Sequence, residues 1–351
     1  MIADKSEFNA VDIAKFICAI VIFTIHVIPF TPEDGFYYTL NLWFYYCFSR
    51  TAVPFFFTAA GFFLYRKTTY NTFSLGPTKR YIAKILKLYL IWTIIYLPLS
   101  IRTIKADKLG TAHGILIYIR DFIFQGSYLH LWFYPSLIFA VMIVSFCLSK
   151  KVSINKILIV AAVFYAIGLL GQTWFGMIEP LRTKAPELWH AFSIAKSVVV
   201  TTRNGLFEGF IFVALGATIA FNGFKISQGK AALLLLLSFF LLFAETYFVL
   251  GHRIAKGYDM HISLVPLTYF GFGTIANIRI GSRSNVFKAL RILSSLVYCI
   301  HLWIVWIISR MLAATGLTRY LICLSLTIAV SYVLMKLSKT KPFRWLSTLY
   351  S

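Results

Sequence analysis

The residues best able to do chemistry are charged groups and histidines that lie within long apolar stretches. Lys15 and His26 are eleven positions apart in one such stretch. At 100° per residue, this spacing puts both side chains on one face of a helix, about 16 Å apart along its axis. Arg50 lies in a second stretch, roughly 13 Å below its predicted outer end. Because a charge in apolar surroundings is costly, each group is a candidate functional residue.

Further candidates occur near the start or the middle of other apolar stretches. They are His130, Trp132, Arg203, Glu245, Asp259, Tyr298 and His301. A neutral histidine held by a carboxylate or a tyrosine can act as a general base, and a nearby arginine can stabilise a developing oxyanion. Such residues fit group transfer from a phosphate-bearing cytosolic donor to an external acceptor. They also fit a proton-coupled transporter, in which His and Glu relay protons.

The composition predicts that these residues lie in a membrane. Of the 351 residues, 59% are apolar and only 13% are charged, whereas soluble domains carry about 25% charged residues. Mean hydropathy is +0.78. Because a crossing takes about 20 apolar residues, about ten crossings fit. We predict an all-α, polytopic integral membrane protein with a single transmembrane domain over residues 1–351.

Ten apolar segments are long enough to be predicted as spanning helices. They are 11–30, 41–65, 81–101, 130–149, 156–173, 203–222, 231–250, 261–278, 290–311 and 319–337. Residues 106–128 and 174–200 form longer connections, and each could contain an amphipathic helix at the membrane interface. All five cysteines fall inside predicted spans without a C-x-x-C pair, which is typical of small core residues.

The distribution of positive charge gives the predicted orientation. The net charge of +22 would suggest nucleic acid as a partner in a soluble chain. With ten spans and the N-terminus inside, however, 20 of the 34 Lys and Arg residues fall on the cytoplasmic side. We therefore expect both termini in the cytoplasm, a lipid bilayer as the environment and no nucleic-acid partner.

Four motifs resemble those of the membrane acyltransferases of family 3, which transfer acyl groups from coenzyme A to envelope polysaccharides and related acceptors. The stretch from Lys15 to His26 is similar to the family's helix-1 signature, an arginine and a histidine separated by ten residues. The others are SRTAVPFFFTAAGFFL (49–64), HLWFYPSLI (130–138) and YCIHLWI (298–304). The resemblance covers nearly the whole chain, with the motifs in the expected order.

Two further stretches resemble the membrane half of the serine racemases of vancomycin resistance. They are GQTWFG (171–176) and TRNGLF (202–207). Those proteins continue into a soluble pyridoxal-phosphate racemase domain, whereas this sequence ends at Ser351, so we expect neither racemase activity nor pyridoxal phosphate. The membrane half of that subgroup has been linked to serine uptake, which leaves acyl transfer and transport both open.

The resemblance implies a donor and a set of site residues. The donor would be cytosolic acyl-CoA, with acetyl-CoA as the expected form, and no metal is expected. His26 would be the general base, Arg50 would hold the acyl carbonyl or the donor, and Glu245 would be a third catalytic residue. Donor phosphates would be bound by Lys15, Arg66 and Lys67. The acceptor side would be formed by His130, Trp132, Arg203, Asp259, Tyr298 and His301.

Two positions depart from the family pattern. Lys15 stands where the family has arginine, which keeps the charge but loses the bidentate fork that suits phosphate. Ala60 stands where a serine commonly precedes the glycine of helix 2. The predicted function is acyl transfer to a hydroxyl of an extracytoplasmic acceptor, a cell-envelope glycan or a small metabolite, in a bacterial plasma membrane. The alternative is a membrane carrier for serine or a similar small amino acid. The oligomeric state is left open.

Overall fold

A computed structural model describes residues 8–30, 35–69, 72–106, 112–281 and 285–351. All the regular elements in these ranges are helical, which confirms the predicted all-α class. The α-helices are α1 (Asn9–His26), α2 (Gly35–Asn41), α3 (Ser49–Tyr65), α4 (Leu75–Ala106), α5 (Ala112–Phe124), α6 (Phe133–Ser149), α7 (Ile154–Leu170), α8 (Leu181–Lys184), α9 (Pro186–Val199), α10 (Phe210–Asn222), α11 (Gln228–His252), α12 (Leu264–Asn277), α13 (Asn285–Met311) and α14 (Gly316–Leu337).

Two kinds of non-α helix complete the described elements. Leu42–Phe48 and Gly205–Gly209 are π-helical segments, each of which leads directly into an α-helix. Leu129–Trp132, Phe175–Met177 and Lys341–Leu349 are 3₁₀ segments. A π-helical turn is wider than an α-helical turn and occurs frequently at functional sites.

Each of the ten predicted spans corresponds to a helix, but two of these helices are shorter than predicted. Among the described residues, eight helices are long and apolar enough to cross a membrane, and a ninth is counted if α7 and residues Phe175–Lys184, bent by 80°, form one span. Helix α7 has 17 residues and α12 has 14. At 1.5 Å per residue, α12 covers only about 21 Å of a ~30 Å hydrocarbon layer.

Both short helices lose residues at their predicted outer ends for a structural reason. Residues 171–173 and 261–263 are turns rather than helix. At the end of α7, a side chain on Gly171 would overlap Thr202, and directly before α12 the Glu245 carboxylate accepts from the amides of Ile262 and Ser263. Apolar composition alone does not reveal such local bonds. The two long connections each contain the helix predicted for them, α5 and α9.

The chain forms two compact units, each assembled from separate segments. The first unit contains Met1–Phe56, Phe224–Phe243 and Pro266–Ser351, and the second contains Phe57–Gly223 and Ala244–Val265. In the first unit, α1 packs along α13 and α13 packs along α14. Phe23, Val27, Ile308 and Cys323 form a buried cluster between these helices. This cluster lies next to His26 in sequence and fixes the position of that residue.

In the second unit, α4 packs on α6, and α10 packs on α6 and α7. Small residues allow close contact between α3 and α10, since a side chain on Gly61 would overlap the Val213 carbonyl and one on Gly216 would overlap the Thr58 carbonyl. Close approach of this kind stabilises helix pairs in membranes, where apolar surfaces have little preference for each other over lipid. The paired glycines therefore allow α3 and α10 to pack closely within the second unit.

Candidate functional site

In the first unit, the end of α1 and the middle of α13 bring two candidate histidines together. The ring centroids of His26 and His301 are 5.0 Å apart, with an interplanar angle of 45°. Phe23, one turn before His26, packs on the His301 ring at 5.8 Å. His301 is 1% exposed. Two residues from distant parts of the sequence therefore form a local imidazole pair in apolar surroundings.

The tautomer of His301 follows from its contact with the backbone. Its Nδ1 lies 2.6 Å from the carbonyl oxygen of Tyr298. Because a carbonyl oxygen only accepts, Nδ1 carries the hydrogen, and in the neutral ring Nε2 carries the lone pair. The Tyr298 ring also packs near the His301 ring, at 6.2 Å. Tyr298 thus orients His301 through its carbonyl as well as its ring.

An ion pair joins the same two helices near their N-terminal ends. Arg291 donates from Nε to Asp12 Oδ1 at 2.9 Å and from Nη2 to Asp12 Oδ2 at 2.5 Å. Lys15 lies one turn after Asp12 and interacts electrostatically with both partners. The sequence analysis assigned Arg291 only to the cytoplasmic charge excess. Its pairing with a carboxylate of α1 places it beside the candidate donor-binding lysine.

Arg50 is held by the widened turn that precedes α3. Its Nε donates to the Tyr45 carbonyl at 3.1 Å, and its guanidinium carbon lies 4.9 Å from the centre of the Tyr45 ring. The Ser49 hydroxyl donates to the same carbonyl at 2.6 Å. Tyr45 belongs to the π-helical segment, whose geometry leaves its carbonyl accessible to these side chains. Arg50 is 7% exposed and is therefore a buried cation fixed by its own helix.

In the second unit, three predicted acceptor-side residues lie together. Arg203 donates from Nη1 to Asp259 Oδ2 at 3.2 Å. The Arg203 guanidinium also lies over the ring of Trp132, at 4.8 Å from its centre. Arg203 and Asp259 are partly exposed, whereas Trp132 is buried. The Asp259 pairing with Arg203 is one of the two partners that sequence reasoning considered for this carboxylate.

His130 lies in an aromatic cluster of the second unit. Its ring meets the Tyr96 ring edge to face at 4.9 Å, and Tyr96 stacks on Tyr128 at 4.9 Å. His130 is 3% exposed. The short 3₁₀ segment that contains both His130 and Trp132 thus connects the aromatic cluster with the Arg203 side chain.

The Glu245 carboxylate is surrounded by four donors from its own unit. Its Oε1 accepts from Trp174 Nε1 and from the Ile262 amide, both at 2.8 Å. Its Oε2 accepts from the Ser263 amide at 3.0 Å and from the Ser263 hydroxyl at 2.6 Å. A carboxylate bound in this way connects α11 to two loop segments. Its geometry is that of a structural anchor.

The two racemase-like stretches, GQTWFG and TRNGLF, also meet within the second unit, since a side chain on Gly171 would overlap Thr202. Next to this contact, Gln172 Nε2 donates to Thr201 Oγ1 at 3.1 Å, and the backbone carbonyl of Gln172 accepts from the Lys256 amide at 3.0 Å. Asn204 caps the second π-helical segment by accepting from the amides of Leu206 and Phe207. Sequence reasoning quoted both stretches but did not select Gln172 or Asn204. Only the motifs themselves could have identified these two residues in the sequence, since neither residue is charged.

Arg66 and Lys67 follow directly after α3 in the second unit. Tyr65, the last residue of that helix, bonds Ser145 of α6 through its hydroxyl at 2.7 Å, and Ser145 lies 3.1 Å from the Thr78 hydroxyl of α4. This buried network fixes the end of α3. Arg66 lies against Phe62 and Phe63, and Lys67 is exposed. Lys15 belongs to the first unit.

Within the described part of the chain, no three His, Cys, Asp or Glu side chains are grouped so that they could hold a metal ion. The described groups instead provide an imidazole pair in the first unit and an arginine–carboxylate–aromatic cluster in the second. The first arrangement can move a proton, and the second can bind a polar group beside a ring. Together with the apolar helices, these features define a polytopic α-helical membrane protein.

Residues 8–336 match the acyltransferase 3 family, which is described as an acyltransferase domain. The chain therefore belongs to this family of membrane acyltransferases. The match includes all of the predicted site residues and most of both units, and it confirms the resemblance drawn from the four motifs.

The curated relatives that the chain matches are racemases. It is 31% identical over 277 residues to a serine/alanine racemase of Enterococcus gallinarum, which covers 76% of this chain and 37% of the racemase. It is 28% identical over 277 residues to an amino-acid racemase of Enterococcus faecalis, and this match covers 78% of this chain and 37% of that racemase. The chain thus spans little more than a third of the length of these relatives. No solved structure matches it.

Proposed function

We propose that this protein transfers an acyl group, with acetyl as the expected case, from cytosolic acyl-CoA to a hydroxyl group of an extracytoplasmic acceptor. The acceptor would be a cell-envelope glycan or a small metabolite, and the location a bacterial plasma membrane. The observation that carries the proposal is the His26–His301 pair, with rings 5.0 Å apart. Two imidazolium ions so close would repel each other. The pair therefore favours a state with one neutral ring, which can act as a base.

The proposed reaction uses this neutral ring at two steps. His26 accepts the proton of the acceptor hydroxyl while the hydroxyl oxygen attacks the thioester carbonyl carbon and forms the new C–O bond. When the C–S bond breaks, His26 returns the proton to the departing thiolate, which leaves as free coenzyme A. His301 presents Nε2 as its acceptor nitrogen because the Tyr298 carbonyl holds the hydrogen on Nδ1. We assign it to the orientation of His26 and to the sharing of its charge.

Arg50 and Lys15 take the proposed roles of anion-stabilising groups. The developing oxyanion of the tetrahedral intermediate needs a fixed donor, and Arg50 is a buried cation whose Nε donates to the Tyr45 carbonyl. We assign its guanidinium group to the acyl carbonyl. Lys15, with Arg66 and Lys67, would attract the phosphates of the donor. Lys15 lies beside the Asp12–Arg291 pair, which adds a second cation to this end of α1.

The second unit supplies the proposed acceptor-side residues. Arg203 and Asp259 would bind polar groups of the acceptor, and Trp132 and His130 would contact its apolar face. We assign Glu245 a positioning role, because four donors from Trp174, Ile262 and Ser263 already bind its two oxygens. Its task would be to hold the loop that leads from Asp259 into α12.

The test of this proposal compares two histidine variants. Membranes from cells that produce the protein are supplied with radiolabelled acetyl-CoA, and label is measured in the envelope fraction. We expect His26→Ala to lower this incorporation at least about 100-fold, the scale of general base catalysis. The matched control is His252→Ala, since His252 is exposed at the end of α11 and should be dispensable. Equal labelling by the His26→Ala and wild-type proteins would refute acyl transfer by this site.

A carrier for serine is the second candidate, because the Arg203–Asp259 pair offers both charges that an amino acid needs and one matched relative is named a serine/alanine racemase. In this case the polar cluster of the second unit would bind the amino acid, with Asp259 and Arg203 facing its ammonium and carboxylate groups. Proteoliposomes without any acyl donor distinguish the two functions. Saturable uptake of labelled serine that is lost in Arg203→Gln would support the carrier. Label transfer from acetyl-CoA in the absence of serine uptake would support the enzyme.

A further inference from the structure

A cavity of about 420 Å³ lies in the second unit, outside the groups described so far. Its walls come from α5, the 3₁₀ segment Phe175–Met177, α9 and the loop after α11. A volume of this size is within the range of small-molecule sites. No residue of this cavity was selected from the sequence as a candidate.

The polar wall of the cavity is cationic. Lys196 and Lys256 line it together with Arg120. Arg120 is already paired with Asp121, at 2.8 Å, and donates to the Ser197 carbonyl. Among the described residues, no carboxylate forms an ion pair with either lysine. Burial and the adjacent Lys256 ammonium lower the pKa of Lys196 to about 8, as is expected where two ammonium groups line one cavity.

The apolar wall of the cavity is aromatic. The Lys256 ammonium lies 4.8 Å from the centre of the Phe175 ring, and the Lys196 ammonium lies 5.9 Å from it. Trp189 meets Phe175 edge to face at 6.1 Å. One ring therefore lies beneath both lysines, while a second ring continues the wall. This combination offers a charged contact and a flat apolar contact to the same ligand.

The backbone at the edge of the cavity is strained. Val200 has φ of 66°, a conformation that is a true outlier for a β-branched residue. Its amide bonds the Lys196 carbonyl at 2.7 Å, so the strained turn closes the end of α9 directly beside the lysine. Strain at such positions persists only where the surrounding structure imposes it, and it is concentrated at ligand sites.

We propose that this cavity is a binding site for a phosphate ester, with the phosphate between Lys196 and Lys256 and the esterified group against Phe175 and Trp189. A phosphate monoester carries enough negative charge to neutralise both ammonium groups, and a phosphodiester neutralises one of them while still offering acceptor oxygens to each. The ester would come either from a soluble metabolite or from the headgroup of a membrane phospholipid. The inference stands apart from acyl transfer, since none of its residues belongs to the proposed reaction.

The test measures phosphate-ester binding to the purified full-length chain in phosphatidylcholine nanodiscs. Calorimetric titration with sn-glycerol 3-phosphate provides the soluble ester, and discs with added phosphatidylglycerol provide the lipid source. The variant is the double substitution Lys196→Gln with Lys256→Gln. The matched control is Lys184→Gln, an exposed lysine of α8 outside the cavity. The charge-preserving double substitution Lys196→Arg with Lys256→Arg separates loss of charge from loss of structure.

We expect saturable binding that weakens at least about tenfold in the double glutamine variant and less than about twofold in Lys184→Gln, with retention in the double arginine variant. If phosphatidylglycerol discs prevent the binding of glycerol 3-phosphate, the lipid headgroup is the physiological source. If phosphatidylglycerol discs leave the binding of glycerol 3-phosphate unchanged, the source is a soluble ester. The proposal fails if neither ester binds, if the double glutamine variant binds like Lys184→Gln, or if inorganic phosphate binds as tightly as its esters.

Discussion

The carboxylates of the second unit and the histidine pair of the first unit meet their partners in opposite ways. In the second unit, the carboxylates Glu245 and Asp259 are bound by donors of the protein itself. In the first unit, two imidazoles face each other. Groups of opposite charge neutralise each other and stabilise the fold. Two like groups in contact are stabilised most when a ligand or a proton lies between them. The comparison therefore predicts that Glu245 mainly holds the protein together, whereas His26 and His301 are the proposed site of chemistry.

The lysine pair of the cavity in the second unit follows the same rule as the histidine pair. Lys196 and Lys256 lie close enough for one to lower the pKa of the other. Contact between like groups singles out His26 and His301, and the same criterion singles out these two lysines. Counting charges in the sequence places them among the ordinary cations of the outer loops.

The largest expected effect on stability is that of Glu245→Ala. The substitution leaves the Trp174 indole and the amides of Ile262 and Ser263 without their acceptor, so we expect a loss of about 2 to 3 kcal/mol in the free energy of unfolding. Thermal unfolding of the detergent-solubilised protein measures it, with Glu187→Ala, an exposed carboxylate of α9, as control. Glu245→Gln, which keeps one acceptor oxygen, should lose less. Equal stability of Glu245→Ala and Glu187→Ala would contradict the anchoring role of Glu245.

A smaller effect is expected for Asp12→Ala in the first unit. Asp12 is buried, but the side chain of its partner Arg291 is 57% exposed, so solvent screens the pair and we expect a loss of about 1 kcal/mol. The same unfolding measurement applies. Because Lys15 interacts with Asp12, the apparent KM for acetyl-CoA should also change. A change in stability without any change in KM would exclude Lys15 from donor binding.

The smallest expected effect is a pH dependence at the lysine pair. Lys196 faces Lys256 from the loop after α11 and Arg120 from α5, with Asp121 bound to that arginine. Since the pKa of Lys196 is lowered to about 8, its charge is present below this value and lost above it. The affinity for glycerol 3-phosphate should therefore fall as the pH rises from 7 to 9, by about threefold, since Lys256 still contributes its charge. Titration calorimetry at several pH values measures this fall.

The control for the pH dependence is Lys196→Gln, which should bind weakly and show a flatter profile over the same range. An affinity of the wild-type protein that rises with pH would contradict the assigned location of the phosphate.

The sequence predicted the helices well because their signal is composition over some twenty residues. It could not place the outer ends of α7 and α12, since these are determined by individual bonds, such as those from Ile262 and Ser263 to Glu245. The donors to Glu245 are backbone amides, a serine hydroxyl and an indole, which carry no charge pattern in a sequence.

The sequence likewise does not predict which site residues are in contact with each other. Helical spacing placed Lys15 and His26 on one face of α1, and the motif at 298–304 selected Tyr298 and His301. That His26 and His301 are in contact depends on the packing of α1 along α13, which one sequence without its fold does not specify. The π-helical turn that holds Arg50 likewise has no distinctive composition.

The central claim is that His26 and His301 act together in acyl transfer. A double-mutant cycle of the transfer rate tests this claim most directly. Initial rates from acetyl-CoA are compared for His26→Gln, His301→Gln and the double variant, each shown by thermal unfolding to be folded. If the histidines act together, each single variant loses about 100-fold and the double variant loses little more. Losses that multiply to about 10,000-fold, or a single variant with an unchanged rate, would contradict the account.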